Sequence, residues 1–189
     1  MPSNGRQGYC HKEFILGGVG LNRIWIAGCA GSGKTTLANI LGDKLDIPVY
    51  YRDLITWDEN DNMRTEDEQV ALLKNITQSD KWIFEGARFT ASQIDGRLDR
   101  CDTIINLDLN RFLCAYRGVK RGRLQRKRTD IPEKDKQPFH LHHIRGVLVD
   151  YPKKRNQRNI IFEMAREKGI NVIIFYSQKE VNKFISSLS

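Results

Sequence analysis

The sequence predicts an α/β fold: a three-layer arrangement in which a five-stranded, mainly parallel sheet is flanked by helices. Three observations predict it. Short apolar strands alternate with helical segments from Arg23 onward. A glycine-rich turn joins the first strand to the first helix. Each of the first four strands delivers a polar residue or a turn at its carboxyl end, where ligands sit in open parallel sheets.

Each element has a local reason. The first strand is expected at about 23–28, with Ile24-Trp25-Ile26-Ala27 as its apolar run, and the first helix at about 33–45. Ile47-Pro48-Val49-Tyr50-Tyr51 is a second short strand, ending near Asp53. Thr65-Glu66-Asp67-Glu68 is a capping box, because Thr65 can accept from the amide of Glu68 while Glu68 reaches back. The helix it opens runs to about Ser79, with Val70, Leu73, Ile76 and Thr77 near one face. Trp82-Ile83-Phe84 is the third strand and the run Thr103 to Leu109 the fourth. Asn110 is expected to cap a long helix from Arg111 to about Arg126. Residues 127–139 carry two prolines and many charges and read as a loop, a candidate mobile one. Helix resumes near Leu141 and continues, with a break at Pro152, to about Lys168. Asn171 to Tyr176 is the last strand, and Ser177 caps a final helix at about 178–188.

Composition narrows the class. A chain of 189 residues with 40% hydrophobic and 29% charged residues has the profile of one soluble globular domain. No apolar run reaches the length of a membrane span, and residues 1–20 lack the long apolar core of a secretory signal. Residues 1–22 read as an N-terminal extension with scattered glycines and no sustained period, and 23–189 as the domain proper. Cys10, Cys29, Cys101 and Cys114 show no C-x-x-C pair and no zinc spacing, so reduced thiols in a cytoplasmic protein are expected. The net charge of +8 is concentrated: residues 111–158 hold 15 Lys/Arg against 4 Asp/Glu, a local +11, leaving −3 elsewhere. Such a stretch suits a lid that clamps phosphates or a patch for nucleic acid.

The turn Gly28-Cys29-Ala30-Gly31-Ser32-Gly33-Lys34-Thr35 is a complete phosphate-binding P-loop, followed directly by Thr36. Its glycines let the backbone curl so that successive amides point into one concavity. The helix N-terminus adds partial positive charge. Lys34 is placed to reach the β- and γ-phosphates and the Thr35 hydroxyl to bind magnesium. The fold class is therefore a P-loop NTPase, and ATP with Mg2+ is the expected ligand set.

The strand ends supply the remaining candidates. Glu85 follows an apolar strand and precedes Gly86, which suits the magnesium side. Asp53, one strand away, suits a base or a group that orients the acceptor. Asp108 stands two residues before a helix start, so capping explains it. Arg117 and Arg121 share a helix face, Arg128 lies at the loop edge, and Arg155 and Arg158 lie beyond it. Arg117, Arg121, Arg128 and Arg155 are thus candidates to stabilise a transferring phosphoryl group from a lid spanning about 117–158. His140, His142 and His143 do not match an i, i+4 metal pair, and surface or packing roles suit them better. Trp57 and Trp82 read as core or pocket-wall aromatics.

These residues carry a resemblance. The chain resembles the adenylate-kinase-like group of small P-loop kinases, and within it the family of DNA topology modulation proteins. The resemblance runs from about Arg23 to the C-terminus. It rests on the P-loop Gly28–Thr35 and on Ile47-Pro48-Val49 leading into Asp53 and Trp57. It rests further on Trp82-Ile83-Phe84-Glu85-Gly86, on the run Asp102 to Asp108, and on Arg117, Arg121 and Arg128 followed by Tyr151-Pro152-Lys153-Lys154-Arg155. It implies a nucleoside-kinase-like fold with a basic lid, and transfer of the ATP γ-phosphate to a small acceptor, a nucleotide or nucleoside among the candidates. The sequence departs from adenylate kinases after the third strand: Glu85-Gly86-Ala87-Arg88-Phe89 stands for Asp-Gly-Phe-Pro-Arg, and its arginine arrives one position early. Arg88 is therefore not assigned the monophosphate-gripping role. The segment between the second and third strands is short for an AMP-binding subdomain of the usual form. The rival is a nucleotide-gated, DNA-binding regulatory protein, for which no helix-turn-helix or RNA-binding aromatic motif is present.

Overall fold

Five strands form one sheet in the order β2-β3-β1-β4-β5, and every pairing is parallel. The computed structural model describes residues 20–126 and 141–188. The strands are β1 (Arg23–Gly28), β2 (Val49–Tyr51), β3 (Trp82–Glu85), β4 (Thr103–Leu107) and β5 (Asn171–Phe175). The helices are α1 (Lys34–Leu45), α2 (Arg52–Thr56), α3 (Glu66–Gln78), α4 (Arg97–Arg100), α5 (Arg111–Arg126), α6 (Leu141–Arg145), α7 (Tyr151–Lys153), α8 (Arg155–Glu167) and α9 (Gln178–Ser187). Placing β1 and β3 side by side brings the P-loop next to the end of β3.

Alternation along the strands sorts the core into two layers. Ile24 and Ile26 of β1, Ile83 of β3 and Ile105 and Leu107 of β4 face one side, against Leu37, Ala38 and Leu41 of α1 and Phe184 of α9. Trp25 and Ala27, Trp82 and Phe84, and Ile104 face the other, against Leu73 of α3, Leu98 of α4 and Phe162 of α8. Both faces of the sheet are covered, which is why the strands read as continuous apolar runs.

The capping reasoning holds at α3 and α9. Thr65 and Ser177 each accept from the amide three residues on, and Glu68 and Glu180 each reach back to the cap amide. Those hydrogen bonds keep the Glu68 carboxyl below the usual range. Asn110 caps α5, its side-chain oxygen accepting from the amides of Phe112 at 2.9 Å and Leu113 at 3.2 Å. The expectation that Asp108 serves as a cap is thereby corrected. Asp108 instead receives Arg158 at 3.9 Å.

Other boundaries differ from the sequence reading. β2 begins at Val49, and Arg52 and Asp53 open α2 rather than end the strand. β4 stops at Leu107. On α3 the fully buried residues are Gln69, Leu73 and Thr77, while Val70 and Ile76 are only half-buried. Gln69 is polar, so an apolar count could not find it. The break expected at Pro152 falls at Lys154, between α7 and α8, because the first turn of a helix tolerates proline. A π-helical turn, Gly146–Asp150, precedes α7. Trp82 is fully buried, but Trp57 is 46% exposed, so of the two only Trp82 is core. The loop at 127–139, Arg128 and His140 lie outside the described residues, as does nearly all of the N-terminal extension.

Candidate functional site

The P-loop is shaped by backbone conformations that side chains resist. Gly31 (φ 77°) and Gly33 (φ 93°) are left-handed. A Cβ on Gly31 would lie 2.2 Å from the carbonyl oxygen of Cys114, so the loop is laid directly on the backbone of α5. A Cβ on Gly33 would meet nothing, so only its backbone conformation requires glycine. α1 starts at Lys34 with no side-chain cap, and its first main-chain bond is Leu37 N–H to Gly33 at 2.9 Å. The amides of Lys34, Thr35 and Thr36 are therefore left for an outside acceptor. The Ser32 hydroxyl is buried and without a hydrogen-bond partner among the described residues. Free amides, a left-handed turn and an orphan hydroxyl in one concavity fit a phosphate chain.

Lys34 is held at the mouth of this loop. Its ammonium donates to the Cys29 carbonyl at 3.1 Å and lies 3.4 Å from Glu85 Oε1. Both side chains are largely buried. Parallel pairing of Ile26 with Glu85 explains the meeting: the phosphate turn begins two residues beyond Ile26, beside the end of β3 at Glu85. Thr35 and Thr36 follow on the exposed side of the first turn of α1. The hydroxyl of Thr35 and the carboxylate of Glu85 are the oxygen donors that magnesium would use.

Behind the P-loop opens a cavity of about 400 Å³ lined by Gly31, Gly33, Thr36, Ile40, Arg117, Gly118, Arg121, Gln178 and Asn182, among others. The Arg117 guanidinium donates to Gln178 Oε1 at 3.2 Å, and Gln178 Nε2 donates to Asn182 Oδ1 at 3.1 Å. Arg117 and Arg121 thus meet the P-loop across this cavity. Gln178 and Asn182 were missed at the sequence level, because polar residues on the first turns of a C-terminal helix carry no signal of their own.

Arg155 is exposed at the start of α8. Its neighbour Arg158 is the buried one: its guanidinium carbon lies 3.8 Å from the centre of the Tyr151 ring, and it bonds the Tyr151 carbonyl. Burial raises the Tyr151 hydroxyl well above the usual tyrosine range, although Arg158 opposes the shift. Arg111 likewise donates internally, to the Leu148 carbonyl at 3.3 Å. The basic stretch is therefore not one solvated face.

Asp53 is exposed in the first turn of α2, and its carboxylate has no hydrogen bond or ion pair among the described residues. It stands beside a second group that sequence reasoning left out. The side chain of Arg52 crosses Gly86 so closely that a Cβ there would lie 2.7 Å from Arg52 Cβ and 3.1 Å from Cδ. Gly86 is fixed in turn by the Trp25 indole, which donates to its carbonyl at 2.7 Å. Over that indole lies Arg97, sandwiched between Trp25 at 4.6 Å and Phe84 at 4.8 Å, ion-paired with Asp95 at 2.7 Å, and donating to the Arg88 carbonyl at 2.7 Å. Arg88 is held by Gln69 at 3.0 Å and Glu66 at 2.5 Å.

Three free thiols are buried among the described residues. Cys29 of the P-loop shares a hydrogen bond with Cys114, which raises the Cys29 thiol and lowers that of Cys114. Burial pushes Cys101 up to about 12. No group of three or more metal-ligating side chains occurs among the described residues. No helix among them is long and apolar enough to cross a membrane.

A crystal structure of shikimate kinase from Bacteroides thetaiotaomicron superposes with a TM-score of 0.54, covering 88% of this chain and 96% of that one. The chain has the fold of a P-loop kinase. At 14% identity the likeness carries the fold and nothing finer. No family model matches the chain, and no curated protein does. The expected kinship with DNA topology modulation proteins therefore has no support from sequence comparison.

Proposed function

We propose that the protein is an ATP-dependent phosphotransferase that moves the γ-phosphoryl group to a small hydroxylated acceptor in the cytoplasm. The observation that carries this reading is the placement of Lys34, held between the Cys29 carbonyl and Glu85 at the mouth of a loop that leaves the amides opening α1 and the Ser32 hydroxyl without a partner among the described residues. The P-loop backbone cradles the phosphates, and the base enters the cavity between Arg117 and Gln178. Magnesium at Thr35, and through water at Glu85, supplies charge neutralisation on the phosphate oxygens when bound. Asp53 accepts the acceptor's hydroxyl proton as that oxygen bonds to phosphorus and ADP departs. Lys34 and the arginines at 117, 121, 128 and 155 stabilise the charge spread over the transferring group.

The test is acceptor-stimulated ADP formation, screened over nucleosides, nucleoside monophosphates and small hydroxy acids. Lys34→Ala should lower that turnover by about a thousandfold in a protein that still unfolds cooperatively. Normal turnover by the folded variant would remove the basis of the assignment. No observation favours the DNA-binding alternative, since Arg111 and Arg158 of the basic stretch make internal contacts.

A further inference from the structure

Cys29 and Cys114 meet where the phosphate loop rests on α5. Cys29 is the second residue of the loop, and Cys114 stands in the first turn of the helix. Their thiols share a hydrogen bond, and both belong to the same packed layer of the core. The backbones are equally close: a Cβ on Gly31 would lie 2.2 Å from the carbonyl oxygen of Cys114 and 3.4 Å from its Cα. Cys114 is 0% exposed and Cys29 5%. The surroundings favour a thiolate at Cys114. The Cys29 thiol first, then Arg117 and Lys34, holds Cys114 below the ordinary thiol range, against burial and Asp108. Cys101, by contrast, is pushed up by burial.

We propose that Cys29 and Cys114 form a peroxide-sensitive dithiol whose oxidation to a disulfide closes the phosphate loop to nucleotide. The closure rests on the nucleotide reading above; the dithiol itself does not. Hydrogen peroxide is the oxidant, because it is close to water in size and thiols this deeply buried exclude a bulky disulfide. The Cys114 thiolate attacks one peroxide oxygen: an S–O bond forms, the O–O bond breaks, and the departing hydroxide takes up a proton to leave as water. Cys29 then gives up its proton and attacks the Cys114 sulfur, an S–S bond forms, and the second oxygen leaves as water. Two thiols are oxidised, and one peroxide is reduced to two waters. A covalent S–S bond holds the sulfurs closer than a thiol hydrogen bond does. Gly31 already lies against the Cys114 backbone, so the loop has no slack there, and its amides shift from the positions that phosphate requires. Reduction by a dithiol restores them.

The experiment starts from fully reduced protein. Equimolar hydrogen peroxide is added, and a tryptic digest made without reductant is read by mass spectrometry. The disulfide should join residues 24–34 to residues 112–117, and dithiothreitol should separate them. Calorimetry with a non-hydrolysable ATP analogue and magnesium then compares the two forms. The oxidised protein should bind about tenfold or more weakly than the reduced one, with full recovery in dithiothreitol. Cys114→Ala, with Cys114→Ser as the variant nearer in size, should bind like reduced wild type and go on doing so after peroxide. Cys101→Ala should respond to peroxide as the wild type does. No link, a link through Cys10 or Cys101, or an equal yield from oxidised glutathione overturns the proposal. So does unchanged affinity in the cross-linked protein, or an equal loss of affinity in the Cys114 variants. Failure of the reduced protein to bind the analogue defeats the nucleotide reading instead, and the peptide map still decides the dithiol.

Discussion

The two ends of the site are built in different ways. The phosphate end is one contiguous turn, Gly28 to Thr35, whose grip is mostly backbone. The end proposed for the acceptor is assembled from side chains of separate segments: Arg52 and Asp53 from α2, Gly86 and Arg88 after β3, Arg97 from α4, and Trp25 from β1. The first needs left-handed glycines and a free helix start. The second needs a stack of rings and charges to hold its shape. A backbone cradle is therefore written in eight consecutive residues, whereas a side-chain cradle exists only after the sheet has formed.

The comparison is sharpened by breaking each end in turn. The largest effect is expected at Arg97. Replacing it by methionine leaves Asp95 buried without its partner, which should destabilise the domain by about 4 kcal/mol. Pairing Arg97→Met with Asp95→Leu should restore much of that loss. Urea midpoints of both variants check it, and equal midpoints for the single and double variants would mean that the ion pair is not the cause.

At the phosphate end, Gly31→Ala should cost about 3 kcal/mol, since it combines a left-handed backbone with a clash against the Cys114 carbonyl. Gly33→Ala, strained but unobstructed, should cost about 1–2 kcal/mol. The same denaturation series reads the difference, and the ranking fails if Gly33→Ala is the more destabilised. Asp53→Asn should lower kcat about a hundredfold, the value of one general base, with ATP affinity and the unfolding midpoint unchanged. A change in KM for ATP alone would place Asp53 on the nucleotide side instead.

How much of this was legible follows the same division. The P-loop, its flanking strand and helix, the capping boxes at Thr65 and Ser177, and the cap at Asn110 all depend on residues within a few positions of one another. The strand end at Glu85 was legible because an apolar strand followed by glycine marks one. Asp108 was misread because two potential caps stand near one helix start, and only geometry shows that Asn110 is used. Arg52, Arg97 and Gln178 gave no signal, since each owes its role to partners from distant parts of the chain.

The sequence by itself determined the strand–turn–helix of the P-loop and the parallel sheet around it, because those follow from local conformational preference and from runs that must be buried on both faces. Only the tertiary structure decided that Lys34 meets Glu85, that Arg97 lies between Trp25 and Phe84, and that the stem of Arg52 packs across Gly86. The reason is electrostatic: whether a charge is matched depends on distances through space and on water excluded by neighbours, and neither quantity is carried by residue order.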